Sequence, residues 1–378
     1  MFTHAEYGAR RARLLERMEA GRLDSLVLYS SKPESGYVRY YAGYESQLAI
    51  MDCCYLAVTP GHGAEWTLVT NAFWDEPFGQ QIREIIVSSD FERIVPGLLP
   101  GRLRRLGLAP LGHFPAGVYR KLARPGLEIT DVKEQLLELR AVKSAAEIEM
   151  LRRVAVIADS GARAFAEAAA AGATELEVAA RVEFALRRAG SGPLIFSTLL
   201  SSGPRTGKFI ALPTDRRLAP GELVQLDCGP SLEGYHGDLS RCLAPGDPPP
   251  GARRLLEATA LMYEACLAAL RPGRRASEVA CEVLRAAREL GYGPENLYQS
   301  PNVKPGFVGH GIGLGNPDAP QISTEDHTLL AAGMVINIET ILRDPALGSA
   351  RIEDAVVIEP AGAVRLSETP IRLGERAA

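Results

Sequence analysis

Residues 223–241 read Leu-Val-Gln-Leu-Asp-Cys-Gly-Pro-Ser-Leu-Glu-Gly-Tyr-His-Gly-Asp-Leu-Ser-Arg, and no other stretch of the chain is as informative. Asp227 ends an apolar run that is typical of a buried strand, and Asp238 follows eleven residues later, behind a glycine-containing turn. Two antiparallel strands place matched positions side by side, so the two carboxylates are expected to converge. The pattern predicts a hairpin that brings two acidic side chains together.

Three more residues of metal-ligand type follow, each in a strand-like or glycine-bounded segment. His310 stands among alternating glycines, Glu339 ends the run Met-Val-Ile-Asn-Ile-Glu, and Glu353 follows Arg-Ile. Apolar neighbours flank Glu353, so its side of the strand is expected to be at least partly buried, which does not suit a solvated carboxylate. Four carboxylates and one imidazole make a poor hydrophobic core but suit a pair of divalent cations. The set therefore predicts a dinuclear metallohydrolase site, formed by Asp227, Asp238, His310, Glu339 and Glu353.

The order Asp, Asp, His, Glu, Glu with these flanks resembles the pita-bread metallopeptidases, which include Xaa-Pro aminopeptidase, prolidase, methionine aminopeptidase and the metal-free creatinase. The segment 139–152 is similar to the entry helix of that catalytic domain. The resemblance implies an α/β creatinase-like N-terminal domain over residues 1–138 and an α+β pita-bread catalytic domain over residues 139–378. Strand and helix patterns also alternate in the N-terminal part, which by itself favours an α/β architecture there.

The resemblance also implies a role for each candidate ligand. Asp238 and Glu353 correspond to the carboxylates that bridge two metals. Asp227 would complete one metal, while His310 and Glu339 would complete the other. Glu339 also resembles the residue that takes the proton of the bridging water, which makes it the expected catalytic residue. Hard oxygen ligands with a single imidazole suit Mn²⁺, the expected metal, with Co²⁺, Zn²⁺ and Fe²⁺ as alternatives.

The chain departs from the family at positions that help to bind substrate. Many relatives carry a His seventeen residues before the first Asp and another seven residues after the ligand His; here these positions are Ile210 and Pro317. Losing both imidazoles removes the usual electrophilic support for a tetrahedral intermediate. A Tyr that normally follows the first Glu ligand by four residues is replaced by Arg343. Substrate anchoring is therefore expected to come from other side chains.

Three arginines are candidates for that substrate-binding role. Arg351, two residues before Glu353, matches the family and is either a carboxylate partner near the metals or half of a structural ion pair. Arg205 and Arg343 stand where relatives carry other polar groups. Either could clamp a substrate carboxylate with two hydrogen bonds, or be a solvated loop arginine.

Composition excludes several other classes of protein. The 378 residues are enough for two domains, and a net charge of −4 gives no electrostatic footprint for nucleic acid. No apolar run is long enough to span a membrane, and the charged N-terminus lacks the apolar core of a signal peptide. Six cysteines without CxxC spacing favour reduced thiols in a cytoplasmic protein.

The leading hypothesis is a metal-dependent exopeptidase that cleaves the Xaa-Pro bond of dipeptides or short peptides with a hydroxide bridging two metals. A prolidase-like enzyme is favoured over an Xaa-Pro aminopeptidase, and the N-terminal domain argues against a methionine aminopeptidase. A homodimer is expected. Because both family histidines are missing, a dimetal lyase or hydrolase of a small non-peptide metabolite is the alternative. A non-enzymatic binding module is a third hypothesis. Family members of that kind usually lose the metal ligands, whereas this chain keeps all five.

Overall fold

The structure is a computed structural model that describes residues 2–31, 36–44, 53–61, 64–71, 82–298 and 303–373. The chain divides into two compact units, Met1–Arg140 and Ala141–Ala378. Within the described ranges, no helix combines the length and apolar character needed to cross a membrane.

The first unit is built on a mixed sheet with helices. The helices are α1 (His4–Ala20), α2 (Gly36–Ala42), α3 (Phe91–Gly97), α4 (Ala116–Leu122) and α5 (Lys133–Ala141). The strands are β1 (Ser25–Ser31), β2 (Cys53–Thr59), β3 (Glu65–Thr70), β4 (Glu84–Val87), β5 (Arg105–Ala109) and β6 (Glu128–Asp131). They lie in the order β4-β3-β2-β1-β5-β6. β1 pairs in parallel with β5 and antiparallel with β2, so the α/β prediction for this part is confirmed.

The second unit contains two helix pairs and a large antiparallel sheet. The helices are α6 (Ala145–Ala168), α7 (Glu175–Arg188), α8 (Pro250–Ala269) and α9 (Ala276–Glu289). The strands are β7 (Leu199–Ser202), β8 (Val224–Cys228), β9 (Ser231–Leu232), β10 (Tyr235–His236), β11 (Leu239–Leu243), β12 (Gly309–Gly311), β13 (Asp318–Ile322), β14 (Val335–Asp344), β15 (Gly348–Glu359) and β16 (Gly362–Arg365). The main sheet has the order β13-β12-β14-β15-β11-β8-β7, and β16 pairs with β15. This is the predicted α+β catalytic architecture.

The helices of this unit start where their sequences provide caps. The Ser144 hydroxyl accepts a hydrogen bond from the backbone N–H of Glu147, and the Glu147 carboxylate accepts one from the backbone N–H of Ser144. The two bonds close a capping box at the start of α6. Thr174 and Glu177 form the same arrangement at the start of α7. These local signals fix the helix starts, so that the apolar stripes of the two helices face the sheet.

One face of the main sheet is covered by both helix pairs. Side chains of α6 and α7 pack on apolar residues of β8 and β11, including Leu226 and Leu239. Side chains of α8 and α9 pack on β14 and β15, including Ile338 and Ile352. Because side chains alternate along a strand, the residues between these apolar positions point to the opposite face. That opposite face carries Asp227, Glu339 and Glu353, three of the acidic candidates.

The two aspartates lie on neighbouring strands, but not directly opposite each other. Asp227 is in β8 and pairs with Ser240 of β11, while Asp238 lies just before β11. The residues between β8 and β11 form a short hairpin of their own, β9 with β10. Because of this insertion, Asp227 pairs with Ser240, which lies two residues after Asp238. Asp238 lies immediately before the first residue of β11.

Candidate metal centre

The strand register of the sheet lines up the acidic residues. Ser240 of β11 lies opposite Asp227 on one side and opposite Glu353 of β15 on the other. Glu353 in turn lies opposite Glu339 of β14. Directly paired residues share a face of the sheet, so these positions form one row across three strand pairs. The row lies on the face that the helices leave uncovered.

Asp238, His310 and Glu353 form the tightest part of this cluster. One possible ligand atom from each of them lies within 4.8 Å of the other two, and all three residues are buried. The Nε2 atom of His310 is 3.7 Å from Asp238 Oδ2 and 3.6 Å from Glu353 Oε1. The other ring nitrogen, Nδ1, is 2.9 Å from the carbonyl oxygen of Gly311. When Nδ1–H donates a hydrogen bond to that carbonyl in the neutral ring, Nε2 keeps a lone pair on the side of the two carboxylates, as a metal-binding imidazole requires.

A buried arginine connects the remaining two acidic residues. Arg351 Nη1 lies 2.5 Å from Asp227 Oδ2 and 3.7 Å from Glu339 Oε1. Arg351 is 2% exposed, so its contact with Asp227 is shielded from solvent. Arg351 therefore forms a buried ion pair with a candidate metal ligand, and its predicted role in substrate binding stays a prediction.

Neutral donors hold the carboxylates in place, and these residues did not stand out in the sequence. Ser240 Oγ donates to Glu353 Oε2 over 2.7 Å, and Asn337 Nδ2 donates to Glu353 Oε1 over 2.6 Å. Asn316 Nδ2 donates to Asp238 Oδ2 over 2.8 Å. Asn337 and Ser240 each lie two positions from an acidic candidate, and this spacing is a usable signal for the same strand face. Asn316 lies in a loop and gives no comparable signal.

Burial and mutual repulsion shift the ionisation of the acidic groups. Burial raises the pKa of Asp227 to about 7, although Arg351 opposes the shift. Burial and the charge of Glu353 raise the pKa of Glu339 to about 8 and that of Asp238 well above its ordinary value. Burial also acts to raise the pKa of Glu353, but hydrogen bonding to His310 and the charge of Arg351 lower it overall. Without a cation, this environment therefore favours the ionised form of Glu353 and disfavours the ionised forms of Asp227, Asp238 and Glu339.

The imidazole responds to the same charges. Burial lowers the pKa of His310, but the hydrogen bond and charge of Glu353 raise it above its ordinary value. The acidic cluster thus favours additional positive charge at its centre.

The donor set fits divalent cations. Among the described residues, no hydrogen-bond donor reaches the buried Oδ1 atom of Asp227 or of Asp238. A buried carboxylate oxygen without a donor is costly, and a cation would satisfy it. The single positive charge of Arg351 cannot neutralise four ionised carboxylates. Carboxylate oxygen with imidazole nitrogen is a suitable donor set for the first-row divalent metals.

A cavity of about 320 Å³ opens beside this cluster. It is lined by Gly207, Phe209, Glu295, Leu297, Tyr298, Ile341, Arg343, Ser349 and Arg351. Arg343 is exposed, and among the described residues its guanidinium has neither a carboxylate partner nor a carbonyl acceptor. Arg343 is therefore available to an incoming anion.

Arg205 lies in a different environment from the one expected of a substrate clamp. Its guanidinium bonds the buried carboxylate of Glu175, the hydroxyl of Thr214 and the carbonyl of Leu212. Arg205 is also absent from the lining of the cavity. A guanidinium with these partners is already engaged, so the structure gives no support to the substrate-binding role predicted for Arg205, which stays a prediction.

Comparisons with known proteins show which family the chain resembles. The sequence model of metallopeptidase family M24 matches residues 149–360. The Xaa-Pro dipeptidase of Pyrococcus furiosus is 33% identical over 242 residues, which cover 64% of this chain and 67% of that protein. The Xaa-Pro dipeptidase of Pyrococcus horikoshii is 31% identical over 268 residues, which cover 70% of this chain and 74% of that protein. The solved prolidase from Pyrococcus furiosus has a TM-score of 0.80 at 27% identity, covering 94% of this chain and 99% of that one.

Proposed function

The chain belongs to metallopeptidase family M24, and on this premise we propose that it is an Xaa-Pro dipeptidase that works with two divalent cations. The main support is the buried cluster of Asp238, His310 and Glu353, whose ligand atoms lie within 4.8 Å of one another. The similarity to two Xaa-Pro dipeptidases favours this substrate class over a small non-peptide metabolite.

The cations would be held by the full candidate set. Asp238 and Glu353 lie at the centre of the cluster and would contact both cations, while His310 and Glu339 would complete one and Asp227 the other. Divalent cations in such sites polarise a carbonyl group and lower the pKa of water. Ser240, Asn337 and Asn316 would fix the carboxylate orientations through the hydrogen bonds described above,.

Glu339 is the proposed catalytic residue. In its ionised form, the Glu339 carboxylate accepts the proton of the attacking water, and it then returns the proton to the leaving proline nitrogen. Arg351 Nη1 lies 3.7 Å from Glu339 Oε1, and its positive charge favours the ionised form of this carboxylate.

Arg343 is the proposed anchor for the substrate carboxylate. Of the three arginine candidates, Arg205 is bound to Glu175 and Arg351 to Asp227. Only the Arg343 guanidinium lines the cavity without a carboxylate or carbonyl partner among the described residues. An arginine fork that grips a terminal carboxylate selects for dipeptides, because a longer peptide has an amide at that place.

Several finer points belong to the same proposal. Manganese is the proposed metal because hard oxygen donors dominate the set. The compact units Met1–Arg140 and Ala141–Ala378 support an N-terminal domain over 1–138 and a catalytic domain over 139–378.

All six cysteines are free thiols, which supports a reducing, cytoplasmic compartment. A homodimer is proposed on family resemblance alone.

A substrate screen tests the proposed activity. The full chain is assayed with Mn²⁺, Co²⁺ or Zn²⁺ against Xaa-Pro dipeptides and matched Xaa-Pro-Xaa tripeptides. We expect turnover of the dipeptides, a much weaker response to the tripeptides, and loss of both after chelation. Preference for tripeptides would indicate an aminopeptidase, and silence on all peptides with bound metal would indicate a non-peptide substrate.

A further inference from the structure

Arg351 is held from two sides. On one side its Nη1 atom binds the carboxylate of Asp227. On the other side its Nη2 atom donates to the carbonyl oxygen of Phe209 over 3.0 Å. The carbon of its guanidinium also lies 4.3 Å from the centre of the Phe209 ring. Phe209 thus contacts the same arginine through both its backbone and its side chain.

The Phe209 ring is itself supported by a second aromatic ring. Its centre lies 3.9 Å from that of Tyr298, with the two ring planes 18° apart. Both rings line the cavity beside the acidic cluster. A cation near the face of an aromatic ring is attracted by the π electrons, and a planar guanidinium stacks there readily. The stacked pair therefore restricts where Arg351 can point.

We propose that Phe209 is a positioning residue that acts through Arg351: it holds the guanidinium against Asp227, so that the free Oδ1 atom of Asp227 faces the cation site. The contacts form a chain from Tyr298 to Phe209, to Arg351 and to Asp227. Partners outside the direct ligands usually matter for metal affinity because they orient the ligating atoms. This inference rests on the proposed metal site.

A simpler reading makes Phe209 only a wall of the cavity. In that case a ring-free side chain of similar size would change KM for the peptide but would leave Arg351 and metal affinity unchanged. The two readings therefore differ in quantities that can be measured without any substrate.

The experiment compares four variants of the full chain. Phe209→Leu and Phe209→Met remove the ring and keep the backbone carbonyl, while Phe209→Tyr keeps both. Ile210→Ala is the matched control, since Ile210 is the next residue and its side chain is 69% exposed. Thermal melting confirms that each variant is folded. Two measurements follow: ¹⁵N NMR of the Arg351 guanidinium, assigned with Arg351→Lys, and Mn²⁺ affinity from the free Mn²⁺ signal in electron paramagnetic resonance.

We expect separate, slowly exchanging Nη signals of Arg351 in the wild type, Phe209→Tyr and Ile210→Ala, and averaged signals in the two ring-free variants. Mn²⁺ affinity should fall about tenfold in the ring-free variants only. In an Arg351→Lys background, Phe209→Leu should cause no further fall in Mn²⁺ affinity, since the effects of coupled residues are not additive.

Three results would overturn the role of Phe209. These are unchanged Arg351 signals in both ring-free variants, wild-type Mn²⁺ affinity in both, or an equal loss with and without Arg351. If the wild type binds no Mn²⁺, Co²⁺ or Zn²⁺, the proposed metal site fails instead. The guanidinium signals still decide in that case whether Phe209 holds Arg351.

Discussion

Glu339 and Glu353 lie directly opposite each other on β14 and β15, so two buried carboxylates point to the same side of the sheet. Like charges placed across a strand pair destabilise a sheet unless a cation or a proton intervenes. The pair is completed by Asp238, just before β11, and by His310 of β12, whose ligand atoms lie within 4.8 Å of that of Glu353. This cluster is electrostatically unfavourable unless positive charge is present, and bound divalent cations would supply that charge. The proposed function is based on this relationship.

The first prediction concerns Glu339 as the proton acceptor. Glu339→Gln keeps the size of the side chain but cannot accept a proton from water at neutral pH, so kcat should fall by at least about 10²-fold. The test measures kcat on an Xaa-Pro dipeptide alongside metal content. The exposed Glu325→Gln is the matched control and should be unchanged. Near-normal turnover in a fully metallated Glu339→Gln protein would refute the role.

The second prediction concerns His310 as a ligand. His310→Ala removes the Nε2 atom that faces Asp238 and Glu353. Metal affinity should fall by more than about 100-fold, since loss of even an outer partner often costs 10–100-fold. Elemental analysis after dialysis measures the bound metal. His327→Ala, which changes an exposed imidazole near Ser277, should bind as the wild type does, and an equal loss in both variants would contradict the assignment.

The third prediction concerns Arg343 as the carboxylate anchor. Arg343→Ala should raise KM for Xaa-Pro roughly tenfold or more, because a charged hydrogen bond contributes about 1.5 kcal/mol or more. Arg343→Lys keeps the positive charge but loses the two-pronged guanidinium, so its KM should lie between those of the wild type and Arg343→Ala. The amide Xaa-Pro-NH₂ should be a poor substrate of the wild type and should be insensitive to Arg343→Ala. Equal wild-type rates on acid and amide would rule out the anchor.

The fourth prediction separates Arg205 from the substrate site. Arg205→Ala leaves the buried Glu175 without its charged partner, although Ser202 and Thr214 still donate to that carboxylate. The free energy of unfolding should fall by about 1–3 kcal/mol, while KM stays the same. Chemical denaturation and steady-state kinetics measure the two quantities. Lys208→Ala, at an exposed position of the same loop, should change neither. A raised KM of Arg205→Ala at normal stability would instead support a substrate-binding role for Arg205.

The fifth prediction concerns pH and metal removal. In the chelator-treated protein, the pKa values of Asp227 and Glu339 are raised to about 7 and about 8, whereas both are near 4 in an unfolded chain. Between pH 4 and pH 8 the folded state thus binds more protons, so these groups make it less stable as pH rises through that range. The melting temperature should fall from pH 5 to pH 8, and added Mn²⁺ should raise it more at pH 8, where the ligands ionise more readily. A melting temperature that rises over this range without metal would contradict the prediction.

Much of the fold could be predicted from local patterns. The segment 139–152 was identified as similar to the entry helix of the catalytic domain, and α6 begins within it, at Ala145. The capping residues that fix this start act within one helical turn. The strand-like flanks of Asp227, Glu339 and Glu353 placed them on strands for the same reason. The offset between Asp227 and Asp238 was not predictable, because it depends on how the residues between them pair with each other as β9 and β10.

The fates of the three arginines illustrate the limit of sequence reasoning. All three carry the same guanidinium, and nothing in their neighbours along the chain tells an engaged one from a free one. Arg205 meets Glu175, which lies thirty residues earlier, and Arg351 meets Asp227, which lies 124 residues earlier. Arg343 meets no such partner among the described residues.

The sequence by itself determined the identity and order of the acidic residues and the imidazole, and with them the kind of chemistry that the protein can support. Residue type and strand periodicity are local properties, so they can be read directly from the chain. Only the tertiary structure decided which oxygen atoms lack a donor, which arginine remains available to substrate, and that Phe209 lies against Arg351. These are contacts between residues far apart in the chain, and they are set by strand register and packing of the whole sheet.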